Sequence, residues 1–169
     1  MGVASVLKVV GSNLKVVDEE DFDKALLGAL SEIAYSLNKN HPFRRLVELV
    51  TFGSPTANAD ERLAAKLEKI AGEGDEDNGC AIADPRALIP FKEYVSGDMV
   101  SQWDALFPGR QTGLRNLLKY HFKSRQLETS YNTRPTSENA GWCRDDYARL
   151  LELVRKAIES ECYILHTIY

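Results

Sequence analysis

The chain begins and ends in β-branched runs, while most of what lies between repeats with the period of a helix. Val3–Val10 and Leu14–Val17 are short runs of strand-forming residues separated by Gly11, Ser12 and Asn13. Glycine and asparagine tolerate the positive φ that a tight turn demands, so this stretch predicts a hairpin. The tetrapeptide Leu-Lys-Val-Val stands in both arms, at Leu7–Val10 and Leu14–Val17, as suits two strands sharing a face. At the other end, Cys162–Tyr169 is rich in aromatic and β-branched residues and reads as a strand. A terminal strand must pair with something, and the hairpin is its expected partner.

The intervening stripes predict helices. Asp18 is read as the cap of a helix with Glu19, Glu20 and Asp21 in its first turn, where acids favour the positive end of the dipole. Phe22, Leu26, Leu30, Ile33 and Leu37 then recur at helical spacing. Pro42 opens a second helix with Phe43, Leu46, Val47 and Val50, which Gly53 closes. A third starts at Thr56 or Asn58, carries Leu63, Leu67 and Ile70, and ends at Gly72. Asp84-Pro85 is another cap and first turn, with Pro90 interrupting the apolar run after it, and Gly97-Asp98 starts a short helix through Trp103. Leu114, Leu117, Leu118 and Phe122 mark a helix from Thr112 to about Leu127. The last one runs from Arg144 or Asp145 through Tyr147, Leu150, Leu151, Val154 and Ile158.

The expected architecture is therefore α+β and mainly helical. About six helices pack around a small antiparallel sheet formed by the N-terminal hairpin and the C-terminal strand. At 169 residues this is one domain. Two segments read as loops: an acidic, glycine-rich one over 72–80, expected to be mobile, and a polar one over 128–141.

Composition removes several classes. With 44% hydrophobic and 27% charged residues the chain is not a disordered one. It has no run of about 18 apolar residues, so no membrane partner is expected, and Ser5, Lys8 and Gly11 break any secretory pattern. Met1-Gly2 lacks the Ser or Thr at position six that N-myristoylation wants, because Val6 stands there. The expected location is intracellular, cytoplasmic or nuclear. Cys80, Cys143 and Cys162 are scattered, as are His41, His121 and His166, and no Cys-x-x-Cys or His-x-x-x-His exists. A calcium loop starting at Asp75 fails, since Cys80 falls at position six and Arg86 at twelve. No metal or other cofactor is expected from local motifs, although ligands gathered from distant positions stay open.

Charge is where the sequence is uneven. Between Asp104 and Glu128 there is no acid, while Arg110, Arg115, Lys119, Lys123 and Arg125 supply five positives. The rest of the chain then carries 16 positive and 25 negative side chains. Arg115, Lys119 and Lys123 repeat every four residues and so line one helical face. Thr112 and Gly113 open that helix, offering backbone N–H groups beside the Arg110 guanidinium, a suitable cradle for phosphate. It is no P-loop, for Pro-Gly-Arg-Gln-Thr-Gly lacks the Gly-Lys-Ser/Thr element. Tyr131 comes next as a ring for base stacking.

These residues lead to a non-enzymatic binding module contacting nucleic acid, DNA or RNA, or another polyanion through segment 110–125. The competing expectation is a helical protein–protein interaction or assembly protein, with the same basic face against an acidic partner or against the Asp18 segment of itself. An enzyme whose site is assembled from distant residues ranks third. No cysteine has a base beside it in sequence, and Asp145-Asp146 stands at a helix start where acids are expected anyway.

Overall fold

A computed structural model describes residues 4–23, 30–31, 34–35, 37–55, 60–72, 80–98, 101–103 and 137–168. The hairpin comprises β1, Ala4–Val10, and β2, Val16–Asp23. Its turn closes with the Gly11 N–H donating to the Lys15 carbonyl (3.0 Å) and the Leu14 N–H to the Gly11 carbonyl (2.9 Å). The positive φ falls on Leu14, at 63°, rather than on Gly11 or Asn13. Asn13 contributes through its side-chain oxygen, which accepts from the Lys15 N–H.

β2 is the principal correction to the expected map. Asp18 through Phe22 are strand, not the cap and first turns of a helix. An acidic run is neutral between the two readings, and the partners that decide lie far away in sequence. Lys8 stands opposite Glu19 on β1, and Arg149 and Lys156 bind Glu20 and Asp18. Helical backbone is found at residues 30–31 and 34–35, where Leu30 and Ala34 are buried, whereas Phe22 of the expected stripe belongs to β2 and Leu26 and Ile33 lie outside the described residues.

Among the described residues the sheet has four strands in the order β2-β1-β4-β3, all neighbours antiparallel. β4, Tyr163–Ile168, pairs with β1 as the sequence implied. β3, Cys80–Ala83, is a fourth strand beyond the three expected, and Cys80 belongs to it rather than to the acidic loop. Four small or medium residues after a polar stretch give no alternation long enough to reveal a strand.

Helix α1, Pro42–Phe52, is capped by the His41 ring, whose Nδ1 accepts from the Phe43 N–H. Helix α2, Glu61–Ala71, is capped by the Asp60 carboxylate at the Leu63 N–H and ends at Gly72, with φ of 91°. Helix α3, Pro85–Leu88, is capped by Asp84; Pro90 turns the chain into a 3₁₀ turn at Ile89–Phe91, and α4 is Lys92–Ser96. Helix α5 runs from Ser137 to Glu159, so residues 137–141 of the expected polar loop are helical backbone. Among the described residues this makes five α-helices and one 3₁₀ turn, against about six helices expected. The expected helix 112–127 and the loop residues 73–79 and 128–136 lie outside the described residues.

Period-two alternation divides the sheet into two cores. Leu7, Val9, Phe22 and Ile164 face α5 and α1, joining Tyr147, Leu150, Leu151, Val154 and Ala157 in the larger one. Val10, Ile82 and Leu165 face α2, meeting Leu67 and Ala71 in the smaller. The outer side of β3 is closed by the chain itself. Ser54 N–H donates to the Ile82 carbonyl (2.8 Å), and the Asp84 N–H donates to Ser54 Oγ (3.0 Å). Gly53 makes that approach feasible: its φ is 81°, and a Cβ there would lie 2.9 Å from the Ile82 N and O.

Candidate functional site

Arg110, Thr112, Gly113, Arg115, Lys119, Lys123, Arg125 and Tyr131, the residues expected to hold phosphate, all lie outside the described residues. The described body supplies the surroundings in which such a segment would act, above all the disposition of acids.

The acids of β2 meet the cations of α5. On a strand Asp18 and Glu20 share a face, and on a helix Arg149 and Lys156, two turns apart, do the same. Arg149 Nη2 donates to Glu20 Oε2 at 2.6 Å and to the Asp21 carbonyl at 2.9 Å, while its Nη1 donates to Asp146 Oδ1 at 2.9 Å. Its guanidinium also lies 4.6 Å from the centre of the Phe22 ring, a cation–π distance. Lys156 Nζ binds Asp18 Oδ2 at 3.0 Å. Burial opposes the charge on Arg149, but the hydrogen bond to Glu20 and the fields of Asp146 and Glu20 outweigh it and raise its pKa. The hydrogen bond and charge of Asp18 raise that of Lys156.

Between these elements runs a groove of about 310 Å³, lined by Asp18, Glu20, Ala148, Arg149, Glu152, Leu153 and Lys156. Arg155, next along α5, binds both Glu152 and Glu159, and its hydrogen bond lowers the pKa of Glu152. Arg149, Arg155 and Lys156 therefore already hold carboxylates, which makes this groove a poor place for a polyanion. Sequence inspection missed this network, although the i, i+7 spacing of Arg149 and Lys156 and the i, i+2 spacing of Asp18 and Glu20 were legible had β2 been read as a strand.

A second polar cluster lies within the larger core. The hydroxyls of Tyr94 and Tyr147 share a hydrogen bond of 2.7 Å. Tyr147 packs edge-on against Phe43 (5.1 Å between centroids) and tilted against Trp103 (5.2 Å). Burial and the Tyr94 hydrogen bond push the Tyr147 pKa far up, so this phenol is a neutral hydrogen-bonding group and no nucleophile. His41 lies edge-on to Tyr94, and burial lowers its pKa. His166, buried on β4, stands 3.3 Å from Ser5 Oγ; burial lowers its pKa, against a hydrogen bond to the Val50 backbone. Burial raises the pKa of Cys80 and of Cys162, and both thiols are unbridged. Among the described residues no three His, Cys, Asp or Glu side chains gather as a metal site, and no helix is long and apolar enough to cross a membrane.

No family model matches the chain, and no curated protein matches it. Among solved structures it is similar to YfbM from Escherichia coli, described as a protein of unknown function. The superposition covers 98% of this chain and 99% of that one, with a TM-score of 0.55 and 12% identity. At that identity the likeness speaks for the fold alone, and for the fold over nearly the whole length of both chains.

Proposed function

We propose that this chain is a non-enzymatic binding module that holds nucleic acid, or another polyanion, on the basic segment Arg110–Arg125. The observation that carries the reading is the separation of charge. Five cations stand in a stretch without an acid, in a chain of net charge −4. A stripe of this kind often serves only to pair with an acidic patch of its own protein. The most concentrated acids of this chain, Asp18 to Asp21, were the natural candidates for that pairing. Asp18 is engaged by Lys156 and Glu20 by Arg149, so half of that run is already committed to α5.

Counterion release supplies the test. If Arg110, Arg115, Lys119 and Lys123 each neutralise a phosphate, log affinity falls linearly with log salt, with a slope of about −3 to −4. Reversing Arg115 and Lys119 to glutamate weakens binding to all sequences alike and flattens the slope. The matched control reverses Arg62 and Lys66, which are exposed on α2. Absence of salt-dependent binding to single- and double-stranded DNA and RNA at low ionic strength rejects the reading. Equal weakening by both pairs of reversals rejects it too, since that reports bulk charge.

The second reading assigns the same basic face to an acidic protein or to another copy. Glu19 and Asp21, exposed on β2 without an ion-pair partner among the described residues, favour it. Its signature is loss of a dimer in the Arg115, Lys119 reversal with no nucleic acid bound by the wild type.

A further inference from the structure

Between Glu32 and Glu48 runs a second stretch without an acid, and it holds Lys39, Arg44 and Arg45. Here residues 34–35 and 37–47 are described. Hydrogen bonds gather them into one corner of the molecule. Asn38 Oδ1 accepts from the Asn40 N–H at 3.0 Å, and the Asn38 carbonyl accepts from the His41 N–H at 2.9 Å. The His41 carbonyl accepts from the Arg45 N–H at 3.1 Å, so Arg45 follows one helical turn later. Arg44 folds back the other way. Its Nη1 donates to the Leu37 carbonyl at 2.9 Å, and its guanidinium lies 5.4 Å from the centre of the Tyr35 ring.

The cations of this corner are of two kinds. Arg44 is engaged, because Glu48 binds its Nε at 3.3 Å. Lys39 and Arg45 are exposed, and neither has a carboxylate partner among the described residues. Arg45 is nonetheless held in place, with its guanidinium 5.9 Å from the centre of the buried Phe91 ring. Around the two free charges, Asn38, Asn40 and Pro42 are exposed and uncharged, and Tyr35 is 40% exposed. The nearest acid in sequence, Glu48, is the one that Arg44 neutralises.

We infer that this corner is a second contact for nucleic acid and that it takes a single strand, with phosphates on Lys39 and Arg45 and an unpaired base against Tyr35. The contact rests on the nucleic-acid reading proposed above and narrows it to unpaired strands. Cations alone accept any polyanion, and the ring is what selects. A base inside a duplex has both faces covered, whereas an unpaired base can stack on an exposed aromatic side chain. The Asn38 and Asn40 amides offer donors and acceptors for base edges beside it. An acidic protein segment would need the two cations and not the ring.

The probe is a fluorescein-labelled oligothymidylate of about 20 nucleotides, titrated by anisotropy across a salt series. A duplex of the same length and a polyglutamate peptide are titrated beside it. The wild type binds oligothymidylate more tightly than duplex and ignores polyglutamate. Reversing Lys39 and Arg45 to glutamate flattens the salt slope by about 1.4, at about 0.7 for each phosphate on a single strand. The matched reversal of Arg62 and Lys66 leaves the slope unchanged. Tyr35→Ala weakens binding about tenfold while Tyr35→Phe retains it. In the unaltered protein, an oligonucleotide carrying a photoreactive thiothymidine crosslinks to Tyr35. A corner reversal no more harmful than its control overturns the inference. So does absence of the crosslink, which decides even if Tyr35→Ala folds poorly. Tighter binding of duplex overturns it as well, and binding of polyglutamate would give the corner to an acidic protein instead. If the wild type binds and only the Arg115→Glu, Lys119→Glu variant is weakened, segment 110–125 stands without this corner. If only the corner reversal weakens binding, the corner stands and that segment falls. No binding by the wild type rejects both.

Discussion

On the side of α5 the sheet is buried under several aromatic rings and threaded by polar pairs, whereas on the side of α2 it is covered mainly by aliphatic side chains, with Tyr163, Cys80 and one lysine beside them. The first face gathers Phe22, Phe43, Trp103 and Tyr147, and it also holds the Tyr94–Tyr147 hydroxyl bond, the His166–Ser5 contact and the Arg149 cluster. The second meets Leu67 and Ala71 with Val10, Ile82 and Leu165. Its polar contacts come from Lys8, which satisfies two terminal carbonyls of α2, and from a side-chain hydrogen bond between Cys80 and Thr167. One sheet is thus fixed chiefly by buried area on one side and by area plus histidine- and tyrosine-centred bonds on the other. Only the latter side should respond to pH in the neutral range.

The most severe perturbation strikes both faces together. Removing Cys162–Tyr169 deletes β4, which lies between β1 and β3 and sends residues into both cores. Soluble expression fails, or the cooperative melting transition disappears. A deletion mutant that melts like the intact chain would show that β1 and β3 can close the sheet without it.

Next come single truncations that weigh one face against the other. Tyr147→Ala empties a fully buried ring site and costs about 3–5 kcal/mol, while Leu67→Ala on the other side costs about 2–4 kcal/mol. Tyr147→Phe isolates the hydroxyl, whose loss leaves Tyr94 a partner short at about 1–2 kcal/mol. Chemical denaturation of the three variants gives the ranking. A cost for Leu67→Ala above that of Tyr147→Ala would invert the proposed division of labour.

These contrasts bear on how much of the fold was legible in the chain. β1 and β4 were legible because strands inside a sheet are apolar on both faces, and Val-Leu-Lys-Val-Val and Tyr-Ile-Leu-His-Thr-Ile read that way. The caps at His41-Pro42 and Asp84-Pro85 were legible because capping is settled within three residues. β2 was misread because its acids are stabilised by Arg149 and Lys156, over 120 residues later, and no local pattern carries that information. β3 was missed because four residues are too few to show a period. Of the candidate site, the cationic stripe was legible as composition, whereas the engagement of Asp18 and Glu20 required the packing of α5 on β2.

The mildest effect is the pH dependence, and it separates the two faces most cleanly. His41 and His166 both lie on the α5 side, and burial lowers the pKa of each from the ordinary 6.5. For His41 the reason is also geometric, since its Nδ1 accepts the Phe43 N–H and cannot do so once protonated. A base whose folded pKa lies below its unfolded one leaves the unfolded chain holding more protons between the two values. Stability is therefore full above pH 6.5 and declines as the pH falls below it, by at most about 1.4 kcal/mol per pH unit for each histidine. Glu152, whose pKa its hydrogen bond to Arg155 lowers, loses its contribution only in the acid range below the usual carboxylate value, so the mildly acidic window belongs to the histidines. Urea denaturation between pH 8 and pH 5 measures the slope. His166→Gln keeps a hydrogen-bonding group without a titrating one, and His41→Asn keeps a cap, so each flattens the curve. Leu67→Ala, on the α2 side, shifts the whole curve down with its slope unchanged. A slope that survives both histidine substitutions would mean that the pH response does not originate on the α5 face.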